Sequence, residues 1–152
     1  VGKIGIPDAI LTKPGALTED ERKVMNYHAR IGYEILHDEQ RSPLTDLAAE
    51  IAISHHERWA GNGYPNGLTG AEIPLSGRIV ALCDVYDALR WPRPCKRAWS
   101  AERAQAHIRD NAGGHFDPHL VQIMSSMFAE LEALQLTMAD RAEPFTLSPQ
   151  HD

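Results

Sequence analysis

The chain contains five stretches in which apolar residues recur every three or four positions, the spacing of one buried face of an α-helix. The first begins at Thr18, where Glu21 three residues later predicts a capping box, and it runs to about His37. The other four are predicted at about 44–57, 74–89, 100–110 and 117–136. No stretch alternates apolar and polar residues as a half-buried strand does, so the sequence predicts an all-α fold.

The apolar spacing also predicts which residues of the N-terminal loop and the first three helices face the core. We expect inward positions at Ile4, Ile6, Ile10, Leu11, Val24, His28, Ile31, Ile35, Leu44, Leu47, Ala48, Ile51, His55, Ile79, Leu82, Cys83 and Tyr86. Two of these residues are histidines, His28 and His55. A lone inward histidine is more often a hydrogen-bonded core residue than a ligand, so His28 by itself does not indicate a site.

Residues 61–70, GNGYPNGLTG, interrupt the helical pattern with four glycines and a proline. Such a stretch cannot be helical, and it is either a flexible linker or the shaped wall of a site. Trp59 just before it and Tyr64 within it favour a wall, because a linker has no need of aromatic side chains.

Composition limits the kinds of protein this chain can be. A length of 152 residues with 43% apolar content is enough for one globular domain with a single core. A formal charge of −6 argues against a protein held on a nucleic-acid polymer or an anionic membrane by a general basic field. No apolar run has the length that a bilayer requires. Cys83 and Cys95 lack CxxC spacing, so a reducing compartment, the cytoplasm, is expected.

Imidazole and carboxylate side chains, which bind first-row divalent metals, flank the glycine-rich loop. His55 and His56 precede it. On a continuous helix they would point about 100° apart, so we expect them to serve two adjacent ions; a solvated pair at a helix end is the equal alternative. Asp84 and Asp87 follow the loop on a stripe of small residues, which favours a metal ligand and a supporting partner.

Three cations are candidates for binding phosphate. Lys3 lies between glycines, and Arg93 and Lys96 lie in the proline-stiffened loop WPRPCK, close to the end of the helix that carries Asp84. Arginine suits bidentate phosphate binding, and lysine acts as a point charge. Solvated surface cations are the ordinary alternative for all three.

Several motifs occur in one order along residues 1–125: VGKIGIPDAILTKPGALTEDER, HHERWAGNGYPNGLTGAEIPLSGRIVALCDVYDAL, RPCKRAWS and HFDPHLV. Together they closely resemble the HD-GYP family of cyclic di-GMP phosphodiesterases, a branch of the HD-domain metal-dependent phosphohydrolases. The resemblance implies a compact helical bundle that encloses two or three divalent metal ions, iron or manganese. It implies metal ligands at His28, His55, His56 and Asp84, with Asp87 in a supporting role.

The resemblance also implies which residues handle the substrate. Lys3 and Asp84 match catalytic positions, with Lys3 near the scissile phosphate. The GYP signature would line the substrate groove, and the cations of a motif similar to RPYK would hold phosphate. The implied substrate-binding residues are Gly63, Tyr64, Pro65, Arg93 and Lys96.

The sequence departs from the family at several positions. The His-Asp pair that names the family would stand immediately before Val1 and is not in the sequence, while Ala60 and Cys95 replace the usual Asp and Tyr. We therefore assign residues 1–136 to an HD-GYP-type domain without its N-terminal helices and His-Asp pair, and 137–152 to a C-terminal tail. Without the bridging carboxylate, we expect this chain alone to be poorly metallated and inactive.

For the protein that contains this chain, the resemblance implies a bacterial signalling enzyme that hydrolyses cyclic di-GMP to linear pGpG, GMP or both. Two metal ions about 3.5–4 Å apart would activate a water and stabilise the leaving oxygen. Two alternatives stay open: a non-catalytic module that binds the nucleotide or a protein, and an HD-type phosphohydrolase for another nucleotide. Expected partners are the cyclic dinucleotide, an upstream receiver or sensor domain and a second copy in a homodimer, with no nucleic-acid polymer.

Overall fold

The computed structural model describes residues 1–37, 42–91 and 97–139. These ranges form helices and connecting loops without a strand, which confirms the all-α prediction. No helix within them combines the length and apolar character needed to cross a membrane. Short 3-10 segments lie at Gly2–Gly5 and Gly70–Glu72. In chain order the described α-helices are α1 (Asp8–Leu11), α2 (Glu19–Asn26), α3 (His28–Leu36), α4 (Pro43–Ser54), α5 (Leu75–Arg90), α6 (Ala101–Asp110), α7 (Pro118–Ser126) and α8 (Phe128–Ala139).

The starts of three helices follow from the residues that cap them. The Thr18 hydroxyl accepts a hydrogen bond from the Glu21 backbone, and the Glu21 carboxylate accepts one from the Thr18 backbone, so the predicted capping box of α2 is present. Ser100 and Asp117 cap α6 and α7, at the residues where the sequence predicted these helices to begin. Capping is local chemistry, and the sequence therefore located these helix starts.

Two helices that were predicted as continuous are each divided by a side chain that bonds to a backbone carbonyl. His28 Nδ1 lies 2.6 Å from the Met25 carbonyl oxygen, and the chain turns at Tyr27 between α2 and α3. Ser126 Oγ donates to the Ile123 carbonyl oxygen at 2.7 Å, where α7 ends before α8. Such bonds compete with the backbone ladder of a helix. The first break makes His28 the first residue of α3.

The main apolar core lies between α5, α6, α7 and α8. Its buried residues are Leu82, Tyr86, Leu89, Ala104, Ile108, Phe116, Val121, Met124 and Phe128. A second packed region joins α3 to α4 and to the first 3-10 segment. In that region a methyl carbon added to Gly2 would stand 1.8 Å from the His28 carbonyl oxygen, so only glycine fits. This close approach brings Lys3 to the end of α3 that carries His28.

Several residues that were predicted to face the core are exposed instead. Ile4 and Leu44 are 85% and 75% exposed. The other exposed positions are Leu11, Val24, Ile35, Leu47, Ile79 and Cys83. The helical period identifies an apolar face, but it does not identify what packs against that face. Where α3 meets α4, the buried residues are small, Ala29, Gly32 and Ala49, and the longer side chains stay at the rim.

A buried ion pair joins α5 to the start of α7. Arg78 Nη1 lies 2.7 Å from Asp117 Oδ2, and the two side chains are 18% and 7% exposed. Arg78 Nε also donates to the Ile73 carbonyl oxygen at 2.9 Å, and the guanidinium lies 5.8 Å from the ring centre of Trp59. The pair therefore connects the loop before α5 to the helical bundle.

Candidate metal centre

The first histidine of the site is fixed by the break between α2 and α3. His28 is 7% exposed and points inward, as the sequence predicted. Its Nδ1 donates to the Met25 carbonyl oxygen at 2.6 Å. Because the ring proton of a neutral imidazole is then on Nδ1, Nε2 carries a free lone pair.

The other two histidines follow the end of α4. That helix ends at Ser54, and His55 caps it with Nδ1 2.9 Å from the Ile51 carbonyl oxygen. The ring centroids of His55 and His56 are 4.0 Å apart. The expectation that these imidazoles diverge is wrong, because it assumed that the helix continues through His56. One nitrogen from each of His55, His56 and His28 lies within 4.8 Å of the other two.

The chemistry of these nitrogens suits a divalent cation. His28 Nε2 and His56 Nε2 are 3.1 Å apart, and the first of them has no proton when Nδ1 donates to the backbone. Burial, followed by the neighbouring His55 and His28, lowers the pKa of His56 to about 3. Burial also lowers the pKa of His28. Both imidazoles are therefore neutral at pH 7, the form that coordinates a metal. The donor set fits a first-row divalent ion.

A cavity of about 510 Å³ opens beside the three histidines. Lys3 and Asp84, which the sequence assigned to the site, line this cavity. The Asp84 carboxylate is not part of the group of ligand atoms that lie within 4.8 Å of one another. Asp87 lines a different cavity of about 290 Å³, together with Cys83 and Arg90. The expected supporting role of Asp87 beside Asp84 therefore stays a prediction.

Tyr64, in the glycine-rich loop, packs directly on the histidine cluster. Its ring stacks on His56 with centroids 4.8 Å apart, and its N–H donates to the His56 carbonyl oxygen at 3.2 Å. Burial, and then the nearby Asp84 carboxylate, raises the pKa of Tyr64 to about 12. The phenol is therefore neutral at pH 7. The loop forms a wall beside the histidines, as the sequence indicated.

The two other residues of the GYP signature flank Tyr64. A methyl carbon added to Gly63 would stand 2.4 Å from the Arg58 backbone nitrogen, so the close approach of the loop requires glycine. Pro65 is exposed and follows a cis peptide bond. The structure thus gives Gly63 a packing role, and the substrate-binding role of the signature stays a prediction.

Glu57 belongs to this region but was not among the residues predicted for the site. It is 2% exposed and accepts hydrogen bonds from the backbone N–H groups of Asn66 and Leu68 at 2.7 and 3.1 Å. The sequence did offer one signal for Glu57. It lies between a histidine pair and an irregular loop, and the backbone N–H groups of such a loop need acceptors.

Arg93 and Lys96 lie outside the described residues, so their roles stay predictions.

Comparison with known proteins finds relatives for most of the chain. A family profile described as HD domain matches residues 1–120. The cyclic di-GMP phosphodiesterase response regulator RpfG of Xanthomonas campestris is 49% identical over 134 residues, 88% of this chain and 35% of that protein. The 3'3'-cGAMP-specific phosphodiesterase 2 of Vibrio cholerae is 44% identical over 140 residues, 92% of this chain and 27% of that protein. The chain therefore spans about a third or less of the length of these relatives.

One solved structure shares the helical arrangement. The crystal structure of a cyclic GMP-AMP-specific phosphodiesterase from V. cholerae superposes with a TM-score of 0.56 at 21% sequence identity. The match covers 84% of this chain and 32% of that one. At this level of identity the likeness shows a common fold.

Proposed function

Because the chain belongs to the HD-domain family and has relatives named as cyclic di-GMP phosphodiesterases, we propose that the protein containing it is a metal-dependent hydrolase of a cyclic dinucleotide. Such relatives also confirm the resemblance of its motifs to the HD-GYP type. The observation that carries the proposal is the convergence of three imidazoles beside a cavity lined by a lysine and an aspartate.

The proposed metal ligands come from three helices or their ends. His28, His55 and His56 would hold a divalent ion through their facing nitrogens, and Asp84 is the proposed oxygen ligand from α5. Two or three ions in all are proposed, iron or manganese, which mixed nitrogen and oxygen ligands suit. When bound, the ions would neutralise phosphate charge and lower the pKa of a water to near neutrality.

Other residues of the chain would bind and orient the dinucleotide. The exposed Lys3 lines the cavity, where its ammonium would neutralise charge on a phosphate. Arg93 and Lys96, which follow α5 in the sequence, are proposed to do the same. Tyr64 offers an aromatic surface beside the centre for stacking with a base. Local cations would thus allow a domain of net charge −6 to bind an anionic substrate.

Cyclic di-GMP is the proposed substrate, with pGpG, GMP or both as products. A competing substrate is 3'3'-cGAMP, because one relative is named for that dinucleotide. The two substrates have the same phosphodiester chemistry and differ in one base, so contacts to base edges would decide between them.

Turnover by the whole polypeptide in which this chain occurs tests the proposal. Purified protein is incubated with cyclic di-GMP or 3'3'-cGAMP in the presence of Mn²⁺ or Fe²⁺, and products are separated by chromatography. We expect linear product from the wild type, none from Asp84→Ala and none after chelation of the metal. Nucleotide binding without product under both metals would contradict the proposal and favour a non-catalytic binding module.

The same proposal includes the setting of the reaction. A cytoplasmic location is proposed because a soluble second messenger and a free Cys83 both suit it. An upstream receiver or sensor domain is supported by the longer relatives, one of which is named a response regulator. A homodimer is expected as well, and light scattering of the purified protein tests it.

A further inference from the structure

Both carboxylate oxygens of buried Glu57 accept hydrogen bonds from the backbone of the glycine-rich loop. The residue is 2% exposed, and its two oxygens accept separate backbone hydrogen bonds, Oε1 from Asn66 at 2.7 Å and Oε2 from Leu68 at 3.1 Å. Burial of a carboxylate is costly unless charge-assisted bonds of this kind compensate for lost hydration. A carboxylate suits position 57 because its two oxygens can each accept a hydrogen bond from a different residue of the loop.

The two residues that donate these bonds come shortly after Tyr64, whose ring stacks on His56. On one side of Tyr64, a methyl carbon added to Gly63 would stand 2.5 Å from the Glu57 Cα, so the loop lies tightly against the chain there. On the other side, the carboxylate of Glu57 holds residues 66 and 68. Glu57 contributes no atom to the histidine group. It therefore orders the loop without being placed as a metal ligand.

We propose that Glu57 is a positioning residue, which holds Tyr64 against His56 and thereby sets the affinity for the cyclic dinucleotide independently of metal binding. The inference rests on the proposed function of the site. Without the two bonds, residues 64–68 would sample more conformations, and binding would have to order them again. The consequence is weaker nucleotide binding at unchanged metal content.

Glu57→Gln tests the inference with almost no change in shape. An amide oxygen can replace one acceptor, but the NH₂ group would face the other backbone N–H as donor against donor. We expect amide hydrogen exchange at Asn66 and Leu68 to accelerate roughly 10- to 100-fold. KM for the cyclic dinucleotide should rise roughly tenfold, while kcat and metal content stay within about twofold of the wild type.

Glu72→Gln is the matched control. Glu72 accepts an N–H bond from Thr69 at 3.0 Å near the end of the same loop, but its side chain is exposed, so KM should not change.

If Glu57→Gln does not fold, Glu57→Asp supplies the same measurements, because it keeps the charge and shortens the side chain. Wild-type exchange and KM in the folded variant would overturn the inference, and so would parallel loss of metal and nucleotide affinity. A wild type without turnover would contradict the proposed function. Comparing amide hydrogen exchange in the wild type and Glu57→Gln would still show whether Glu57 orders the loop.

Discussion

The substitution Gly63→Ala tests how closely the loop must approach the metal centre. Gly63 does not have a positive φ, so alanine meets no backbone strain at this position. Any effect therefore comes from the contact between the new methyl group and its neighbours. Those neighbours are backbone atoms, which cannot move aside as a flexible side chain could.

The size of the effect follows from the distances. The added carbon would stand 2.4 Å from the Arg58 nitrogen and 2.5 Å from the Glu57 Cα. Because non-bonded atoms settle at roughly 3.5–4 Å, the loop must retreat by about 1 Å. Overpacking of this kind costs roughly 1–3 kcal/mol of stability. A shift of about 1 Å in a positioning segment can lower turnover by roughly 100-fold. The histidines lie outside the displaced loop, so metal content should not change.

The assay compares kcat/KM for the cyclic dinucleotide, the denaturant midpoint and the metal content of three proteins. Gly114→Ala is the control beside Gly63→Ala and the wild type, because its added methyl carbon meets nothing closer than the Asn111 carbonyl oxygen at 3.8 Å. Gly114 also lacks a positive φ, and we expect its variant to match the wild type. A wild-type kcat/KM in Gly63→Ala would contradict this prediction, since the tight contact would then have no consequence for function.

Three further predictions concern the buried ion pair, a helix-capping acid and a proposed ligand. Asp117→Asn leaves the largely buried Arg78 without its counter-charge, and urea denaturation should show a loss of about 3 kcal/mol; no measurable loss would contradict this. The hydrogen bond from Lys13 lowers the pKa of Glu21 below 4.5, so its stabilisation is complete above that pH and is lost as pH falls through the lowered pKa. The melting temperatures of the wild type and Glu21→Gln should accordingly differ at neutral pH and converge in acid, and a constant difference would argue against the pair. His56→Ala should remove bound metal, measured by elemental analysis, with a stability loss of the metal-free protein of at most about 1 kcal/mol. Unchanged metal with a large stability loss would make His56 a core residue.

The starts of three helices were predictable from their capping residues. The two helix breaks were not, because they depend on side chains that bond to backbone carbonyls within the helix. Thr18 and Asp117 cap helices because their own side chains bond to the next turn, which the sequence displays directly. The division at Tyr27 depends on the imidazole of His28 bonding to Met25, and the apolar period continues through it. Periodicity therefore predicted that His28 faces inward, but it did not predict where the helix ends.

The residues of the candidate site were predictable, and their mutual arrangement was not. His55 and His56 were expected to diverge, yet they converge because α4 ends one residue before them. Asp84 lines the cavity beside the histidines and Asp87 lines another, a difference that their spacing on one helix did not predict. Glu57 was missed because its role depends on where the loop returns, which only the folded chain shows.

The metal centre can be tested by anomalous diffraction from crystals, grown with excess Mn²⁺, of the whole polypeptide in which this chain occurs. We predict a peak between the facing nitrogens of His28, His55 and His56, at roughly 2.0–2.3 Å from the coordinating atoms. A map without a peak at that position, in which the three imidazoles bond to one another or to water, would contradict it.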